Sequence, residues 1–193
     1  ESTYKEFLSD INTQVDRLVT LLNDLLILTR IEQQDTKLTY TNVNVGELIG
    51  EVFYHLAPIA NNSGVEMVDA SKDITLECDR LQLSTAITNL LINGIKYTPP
   101  GGRVRCSVAQ EGENVLIVVS DTGVGIPPDD LKHIFERFYR VDKARSRDTG
   151  GTGLGLSIVQ QVCRLHGGTV SVTSIVEKGS VFTISIPQKR WDI

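Results

Sequence analysis

The spacing of apolar residues in the first 31 positions constrains the fold of the chain most strongly. These residues recur in alternating steps of three and four, at Leu8, Ile11, Val15, Leu18, Leu22 and Leu25. Such heptad spacing predicts one long helix with a single apolar face. Leu21, Leu28 and Ile31 widen that face, so we expect packing against more than one neighbour, as in a four-helix bundle. The sequence has no second such helix, and two interpretations stay open: docking on the helix's own domain, or dimerisation.

The residues after this helix predict a separate domain. We expect a polar linker over residues 33–44, with the new domain beginning near Lys37. Helices are predicted at residues 45–60, 80–97, 128–138 and 154–166. Strands are predicted as two short runs within residues 65–78, a hairpin of 104–108 and 115–119, and strands at 169–176 and 181–186. This order predicts an α+β fold, in which a two-layer α/β sandwich with a mixed sheet packed on helices is preceded by one long helix.

Composition and charge exclude several classes of protein. The chain is 40% hydrophobic and 22% charged, which favours a folded globular domain. A net charge of −5 argues against nucleic-acid binding. The three cysteines, Cys78, Cys106 and Cys163, are far apart, so neither a disulfide framework nor a thiolate metal site is predicted, and a reducing cytosol is expected. The apolar stretch at residues 18–29 is too short to span a bilayer.

Two carboxamides and a lysine share one flank of the helix predicted at residues 80–97. Asn89, Asn93, Lys96 and Tyr97 fall together at helical spacing, beside the apolar face. Carboxamide oxygens can ligate Mg²⁺, and a lysine can neutralise a phosphate. A solvated helix flank would have the same composition, so both interpretations stay open.

A carboxylate follows the apolar strand at residues 115–119. Asp121 opens the segment Asp-Thr-Gly-Val-Gly-Ile, in which Gly123 and Gly125 keep the backbone accessible as far as Ile126. An ionised carboxylate only accepts hydrogen bonds, so it suits the exocyclic amine of adenine and disfavours the carbonyl of guanine. A simple turn at a strand end is the alternative.

A basic segment runs directly into a second glycine-rich segment. Residues 140–148 hold four basic and two acidic side chains, a local charge of +2 (4 − 2) that favours anions. The segment that follows and precedes a predicted helix is Gly151-Thr152-Gly153-Leu154-Gly155. Backbone N–H groups at such a helix start can bind phosphates. The spacing matches neither a Walker A loop nor a Rossmann loop. A flexible charged loop with a helix cap is the alternative.

Taken in order, these segments resemble the catalytic ATP-binding domain of sensor histidine kinases, within the gyrase, Hsp90, histidine kinase and MutL group. The similarity covers residues 44–187. Asn89-Leu-Leu-Ile-Asn93-Gly-Ile-Lys96-Tyr97 resembles the N box of that family, and Asp121-Thr-Gly-Val-Gly125-Ile resembles its first glycine box. Phe135-Glu-Arg-Phe138-Tyr-Arg140 resembles the F box, and Gly151-Thr-Gly-Leu-Gly155-Leu the second glycine box.

The resemblance implies a Bergerat-type fold with ATP and Mg²⁺ as ligands. It implies that Asn93 ligates Mg²⁺, that Asn89 and Lys96 contact the phosphates, and that Tyr97 lines the nucleotide pocket. Asp121, with Gly123, Gly125 and Ile126, would recognise adenine. Arg140 and the residues through Gly150 would form a lid anchored by Phe135 and Phe138. The phosphates would approach the backbone of Gly151, Thr152, Gly153, Leu154 and Gly155.

The family's phosphate acceptor is missing from this sequence. That acceptor is a histidine in an S-x-x-H-E-x-R-T-P-L type of motif, and nothing like it occurs here. The histidines that are present, His55, His133 and His166, are expected to be structural. Residues 1–36 resemble the second helix of the dimerisation hairpin with its linker, and residues 37–193 the catalytic ATP-binding domain.

The expected activity is transfer of the γ-phosphoryl of ATP to a histidine elsewhere, for relay to the receiver domain of a response regulator. The expected partners are that receiver domain and the dimerisation hairpin of the parent chain in a homodimer. The chain is expected to be a cytoplasmic domain of a membrane-anchored parent. Two alternatives stay open: a nucleotide-binding pseudokinase that serves as a scaffold, and a Ser/Thr kinase of the anti-sigma-factor type.

Overall fold

The long helix predicted at the start of the chain is present. The computed structural model describes residues 2–32, 38–141 and 151–189, and its first element is helix α1, Ser2–Glu32. A row of apolar side chains along α1 is between 41% and 60% exposed: Phe7, Leu8, Ile11, Val15, Leu18, Val19, Leu22, Leu25 and Leu26. Towards the C-terminal end of α1, Leu28 and Ile31 are instead buried. The helix therefore docks on the rest of the chain near one end and presents apolar surface along the remainder.

The remaining elements form the predicted α+β sandwich. In chain order the strands are β1 (Tyr40–Asn44), β2 (Glu66–Ala70), β3 (Thr75–Asp79), β4 (Arg103–Glu111), β5 (Asn114–Asp121), β6 (Thr169–Ile175) and β7 (Gly179–Pro187). Five of them form a mixed sheet in the order β2-β4-β5-β7-β6, in which β2 and β4 are parallel and the other pairs antiparallel. β1 and β3 form a separate antiparallel pair.

Three helices form the second layer, on one face of the five-stranded sheet. They are α2 (Val45–Asn62), α3 (Arg80–Tyr97) and α4 (Gly155–Leu165). Alternate residues of the central strands point at these helices and are buried, which is the period-two pattern of a sheet covered on one face. Examples are Val104, Cys106 and Val108 of β4, and Val115, Ile117 and Val119 of β5. The prediction of a mixed sheet packed on helices is confirmed.

Side-chain caps account for the close agreement at the starts of α2 and α3. The Asn44 carboxamide accepts hydrogen bonds from the N–H groups of Gly46 and Glu47, at 3.0 and 3.3 Å. The Asp79 carboxylate accepts one from Gln82 N–H at 3.1 Å. Such caps satisfy backbone donors that have no partner within the helix. Asp79 therefore stabilises the start of the helix that carries Asn89 and Asn93.

Two predictions of local structure were wrong. Strand β1 lies within the stretch that was assigned to a polar linker, and it is held by pairing with β3 along its full length. The helix predicted at residues 128–138 is a series of separate turns. Phe138 has a φ of +62°, which is incompatible with a continuing right-handed helix, and its N–H bonds to Gly153 O at 2.9 Å instead of to the preceding turn.

The three cysteines lie in the core. Cys78, Cys106 and Cys163 are free and buried. Among the residues that the structure describes, no helix is long and apolar enough to cross a membrane.

Candidate functional site

The polar flank of α3 forms one wall of the candidate site. Asn89, Asn93 and Lys96 are half-buried, and Tyr97 is 44% exposed. The Lys96 ammonium nitrogen lies 5.3 Å from the centroid of the Tyr97 ring. Asn89 Nδ2 donates to the Thr85 carbonyl one turn earlier, at 2.9 Å. With its nitrogen held against the helix, Asn89 presents its oxygen outward.

The second glycine segment lies directly on this flank. A Cβ added at Gly155 would lie 2.7 Å from Asn89 Oδ1, and one added at Gly151 would lie 2.4 Å from Lys96 Nζ. No side chain fits at either position without displacing a polar group of α3. The structure therefore brings together the two segments that the sequence separates by more than 50 residues.

The segment at residues 151–155 leads into the N-terminus of α4. Leu154 precedes the first residue of the helix, and its N–H is bonded to Thr152 Oγ1 at 3.2 Å. Backbone N–H groups at a helix start carry partial positive charge and bind anions well. The two glycines that face α3 keep this part of the chain accessible to a ligand.

The segment containing Phe135 and Phe138 contacts the second glycine segment through its backbone. The Phe138 ring is 60% exposed. Phe138 N–H donates to Gly153 O, and a Cβ added at Gly153 would lie 2.8 Å from Phe138 Cα. Phe135 is partly buried and packs against the core.

Asp121 occupies the end of β5 at a second wall of the candidate site. Its Oδ1 accepts hydrogen bonds from Gly123 N–H at 2.8 Å and Ser180 N–H at 3.2 Å. Burial raises the pKa of the Asp121 carboxyl, and these two hydrogen bonds partly offset the rise. Because both bonds engage Oδ1, Oδ2 is the atom through which the carboxylate could accept from a ligand.

The rest of the first glycine segment is fixed against the β6–β7 hairpin. Gly125 has a φ of +69°, and an added Cβ would lie 2.2 Å from Ile175 O, so conformation and space both require glycine. Ile126 N–H donates to Ser174 Oγ at 2.8 Å. These contacts restrict the movement of the loop at residues 123–126 relative to Asp121.

Both walls meet at the C-terminal end of α3. Val124 N–H donates to Tyr97 O at 3.1 Å, and a Cβ added at Gly123 would lie 2.4 Å from the same oxygen. Tyr97 thus connects the Asp121 loop to the helix flank that carries Lys96.

Arg140, the first residue of the expected lid, lies at the same site. A Cβ added at Gly151 would lie 3.8 Å from an Arg140 guanidinium nitrogen. Burial raises the pKa of the Tyr97 phenol, and the nearby Arg140 charge partly offsets the rise. Residues 142–150, to which most of the lid was assigned, lie outside the described residues.

The arrangement offers complementary groups for a nucleoside triphosphate. A hydrogen-bond acceptor at Asp121 faces one end, while Lys96, Arg140 and the N-terminus of α4 supply positive charge at the other. Within the described residues, no group of three or more His, Cys, Asp or Glu side chains could hold a metal by itself. The carboxamides of Asn89 and Asn93 suit Mg²⁺ that is shared with ligand phosphates.

The three histidines lie outside this constellation. His55 is exposed on α2, and His133 Nδ1 lies 2.6 Å from Glu136 Oε1. His166 is buried and bonded to backbone on both sides of its ring.

A cleft of about 450 Å³ lies away from these residues, between α1, α4 and the turns before Tyr139. It is lined by Leu28, Phe135 and Arg164, among others.

Two polar contacts at the site were missed from the sequence. Ser180 donates its N–H to Asp121, and Asp24 of α1 accepts a hydrogen bond from Thr152 at 2.6 Å. The Gly179-Ser180 pair is visible in the sequence, but its place beside Asp121 depends on the pairing of β5 with β7. No local pattern distinguishes Asp24 from other acidic residues.

Comparison with known proteins gives a family for most of this region. Residues 78–190 match the family described as histidine kinase-, DNA gyrase B- and HSP90-like ATPases. The match covers more than half of the chain. It spans both glycine segments, the α3 flank and the strands that position Asp121.

Individual relatives extend the similarity into α1. The sensor histidine kinase RppB of Synechocystis sp. is 38% identical over 182 residues, which are 93% of this chain and 40% of RppB. The chain therefore spans less than half the length of that relative. The crystal structure of full-length ShkA in complex with AMPPNP has a TM-score of 0.80 at 30% identity, covering 95% of this chain and 38% of ShkA. The histidine kinase ThkA, solved in complex with the response regulator protein TrrA, has a TM-score of 0.78 at 25% identity, covering 97% and 52%.

Proposed function

The chain belongs to the family of histidine kinase-, DNA gyrase B- and HSP90-like ATPases, and from that membership we propose that it is the ATP-binding catalytic portion of a sensor histidine kinase. Its activity is transfer of the γ-phosphoryl group of ATP to a histidine on a dimerisation hairpin. Relay to a response regulator follows. Relatives that are similar along nearly the whole chain are named as sensor histidine kinases, which favours this branch of the family.

The observation that carries the proposal is the convergence of three segments on one site. The flank of α3 and the glycine segment at residues 151–155 meet at Asn89 and Lys96, and the same helix ends against the Asp121 loop. A carboxylate acceptor at one end and cationic and N–H donors at the other match an adenine nucleotide with its phosphates.

The residues of the site act by positioning and by charge neutralisation. Asp121 accepts a hydrogen bond from the exocyclic amine of adenine through Oδ2. Lys96, Arg140 and the N–H groups of residues 151–155 bind the phosphates, beside which Asn89 lies, while Asn93 would supply an oxygen to Mg²⁺. When bound, Mg²⁺ withdraws charge from the phosphate oxygens and orients them for in-line attack. The protein holds the γ-phosphoryl group where an imidazole nitrogen can approach.

We propose that the chain consists of two parts, which meet at the start of the ATP-binding domain. Residues 1–36 form the second helix of the dimerisation hairpin with its linker, and residues 37–193 form the catalytic domain. The exposed apolar row on α1 supports this division, because such a row requires a partner helix in water. The partners proposed are the first hairpin helix, a second copy of the parent chain and a response-regulator receiver domain. The parent is anchored in a membrane, and this portion acts in the cytoplasm.

The acceptor histidine is supplied by a different segment from those in this sequence. The His166 ring is bonded to backbone, the His133 ring lies against Glu136, and His55 is exposed on α2. We therefore propose that this chain binds Mg-ATP without phosphorylating itself, and phosphorylates a separately supplied hairpin in trans.

A transfer assay tests this proposal. The chain is incubated with γ-labelled ATP and Mg²⁺, alone and with a dimerisation hairpin that carries the S-x-x-H-E motif. The expected product is an acid-labile phosphate on the hairpin and none on the chain. An acid-labile label on the chain alone contradicts the proposed division of labour. Nucleotide binding without any transfer favours the scaffold alternative, and an acid-stable label on a protein hydroxyl favours the Ser/Thr kinase alternative.

A further inference from the structure

Helix α1 makes a polar contact with the glycine segment of the candidate site. Thr152 Oγ1 donates a hydrogen bond to Asp24 Oδ2 at 2.6 Å. The same oxygen accepts from Leu154 N–H at 3.2 Å. Asp24, Thr152 and the start of α4 are thus joined in one short hydrogen-bonded chain that connects two parts of the molecule far apart in sequence.

The direction of these two hydrogen bonds affects which N–H donors are available to an anion at the site. Because the hydroxyl proton of Thr152 is committed to Asp24, the lone pairs of the hydroxyl face Leu154 N–H. That N–H lies at the N-terminus of α4, among the donors that a phosphate would use. In this arrangement one of those donors is occupied, and a carboxylate lies next to the segment that would bind a polyanion.

The carboxylate is only partly screened by water. Burial raises the pKa of Asp24, and the hydrogen bond from Thr152 partly offsets the rise. A half-buried negative charge repels a nearby phosphate more strongly than a fully hydrated one, because the effective dielectric constant is lower.

Among the α1 side chains that the structure describes, the fully buried ones lie near the C-terminal end of the helix. Leu28 and Ile31 are 2% and 1% exposed, whereas Leu25 and Leu26, one turn or less from Asp24, are 43% and 53% exposed. A cleft of about 450 Å³ remains between Leu28 and α4. Asp24 therefore lies at the edge of the contact that Leu28 and Ile31 make with the rest of the chain.

We propose that Asp24 is a positioning residue that holds the segment at residues 151–155 in an arrangement unfavourable to phosphate, so that docking of α1 and nucleotide binding oppose each other. This inference rests on the proposed function and adds a regulatory contact to the same site. By linkage, whatever displaces the end of α1 strengthens nucleotide binding, and nucleotide binding weakens the docking of α1 by the same factor.

Calorimetric titration of Mg-ATP into the whole chain tests the inference. The variants are Asp24→Ala, Asp24→Asn and, as a matched control on the exposed side of the same turn, Asn23→Ala. Asp24→Ala is expected to bind about three- to tenfold more tightly than the wild type, because it loses both the charge and the bond that holds Thr152. Asp24→Asn keeps an acceptor and loses the charge, so an intermediate gain is expected. Asn23→Ala is expected to match the wild type.

A gain in affinity distinguishes this role from a merely structural one, since damage to the fold weakens binding. If the wild type binds Mg-ATP and Asp24→Ala binds equally or less well, the inference is wrong and the proposed function stands. If neither protein binds nucleotide, the proposed function fails and the inference fails with it.

Hydrogen exchange supplies a second readout. Addition of Mg-ATP to the wild type is expected to accelerate exchange of the α1 amides at residues 28–31, and Asp24→Ala is expected to show faster exchange there before any nucleotide is added. Exchange at these amides that is unaffected both by nucleotide and by the substitution would overturn the inference.

Discussion

Asp121 is the residue that we propose recognises the base of the ligand. In Asp121→Asn the amide oxygen can still accept from Gly123 and Ser180, and the NH₂ group then takes the place of Oδ2. A donor would face the exocyclic amine of adenine. We expect ATP affinity to fall by about tenfold or more, with the ratio of GTP to ATP affinity rising, as measured by competition titration.

The same variant should fold normally, because its backbone hydrogen bonds are retained. Thermal denaturation of Asp121→Asn within a few degrees of the wild type serves as the control. Unchanged ATP affinity in a folded Asp121→Asn protein would show that this carboxylate does not contact the base.

His166 has a structural role. That role was predicted from the sequence, and the hydrogen bonds of the ring explain it. Its Nε2 accepts from Asp79 N–H at 3.0 Å, and Nδ1 lies 2.8 Å from Val162 O. The ring must therefore be neutral, with its proton on Nδ1. Through this ring the end of α4 is bonded to the residue that caps α3, so the two helices of the candidate site are held in register.

Burial lowers the pKa of His166 below its ordinary value of 6.5, with the Val162 bond and the Asp79 charge partly opposing the shift. The contribution of this histidine to stability is complete above about pH 6.5. It is lost as the pH falls below that value towards the lower pKa of the folded state, because the unfolded chain takes up the proton first.

We therefore expect the free energy of unfolding to decrease from about pH 7.5 to about pH 5.5, as measured by denaturant titration. His166→Gln should show a flatter profile, while His55→Ala, which changes an exposed ring, should keep the wild-type profile. Equal slopes for His166→Gln and the wild type would contradict this assignment.

Between elements, the contact that shapes the site is the one between the glycine segment at residues 151–155 and the turns that end at Phe138. Gly153 has a φ of +76°, and an added Cβ would lie 2.8 Å from Phe138 Cα. Gly167 provides a matched control, since its φ is +68° and an added Cβ would meet nothing within 4 Å.

Gly167→Ala should cost only the backbone strain of the left-handed conformation, roughly 1 kcal/mol. Gly153→Ala should lose more stability than that and also weaken nucleotide binding, because the added methyl group separates the loop from Phe138. Unfolding curves and ATP titrations of both variants check this. If the two variants lose equal stability and ATP binding is unchanged, the close approach of Gly153 to Phe138 does not contribute to nucleotide binding.

Elements with strong local signals were predicted well from the sequence. Helix α3 begins at the residue after the Asp79 cap and ends before a Pro-Pro pair, and both signals are local.

Elements that depend on distant partners were predicted wrongly. Strand β1 was missed because its five residues are mostly polar and depend on pairing with β3. The turns at residues 128–138 were taken for a helix because their apolar spacing is helical, whereas the bond between Phe138 and Gly153 decides their path.

At the scale of the whole molecule, the cysteines report on the integrity of the core. Cys78, Cys106 and Cys163 are at most 1% exposed, and burial raises the pKa of each thiol to about 12. Since the thiolate is the reactive form, we expect no reaction with a thiol reagent in the native protein at neutral pH, and reaction of all three in denaturant. Rapid labelling of one thiol in the native state would contradict this packing.

The family and fold class were predicted correctly because the motifs occur in a specific order. The resemblance to sensor histidine kinases is confirmed by the match over residues 78–190 and by the relatives. The roles of individual site residues stay predictions. What the sequence could not supply are contacts between distant segments, such as Ser180 with Asp121 and Asp24 with Thr152, since these depend on how the elements pack.

We propose that the flank of α3, the Asp121 loop and the glycine segment together bind a magnesium nucleotide. The test is a titration of ATP into the wild type, with Mg²⁺ and with a chelator, and into the variants Asn93→Ala and Asn61→Ala. Asn61, exposed on α2, is the control asparagine. We predict one ATP per chain, with affinity about tenfold or more weaker in chelator and in Asn93→Ala, and unchanged in Asn61→Ala. Absence of binding, or binding that is indifferent both to Mg²⁺ and to Asn93, would contradict the claim.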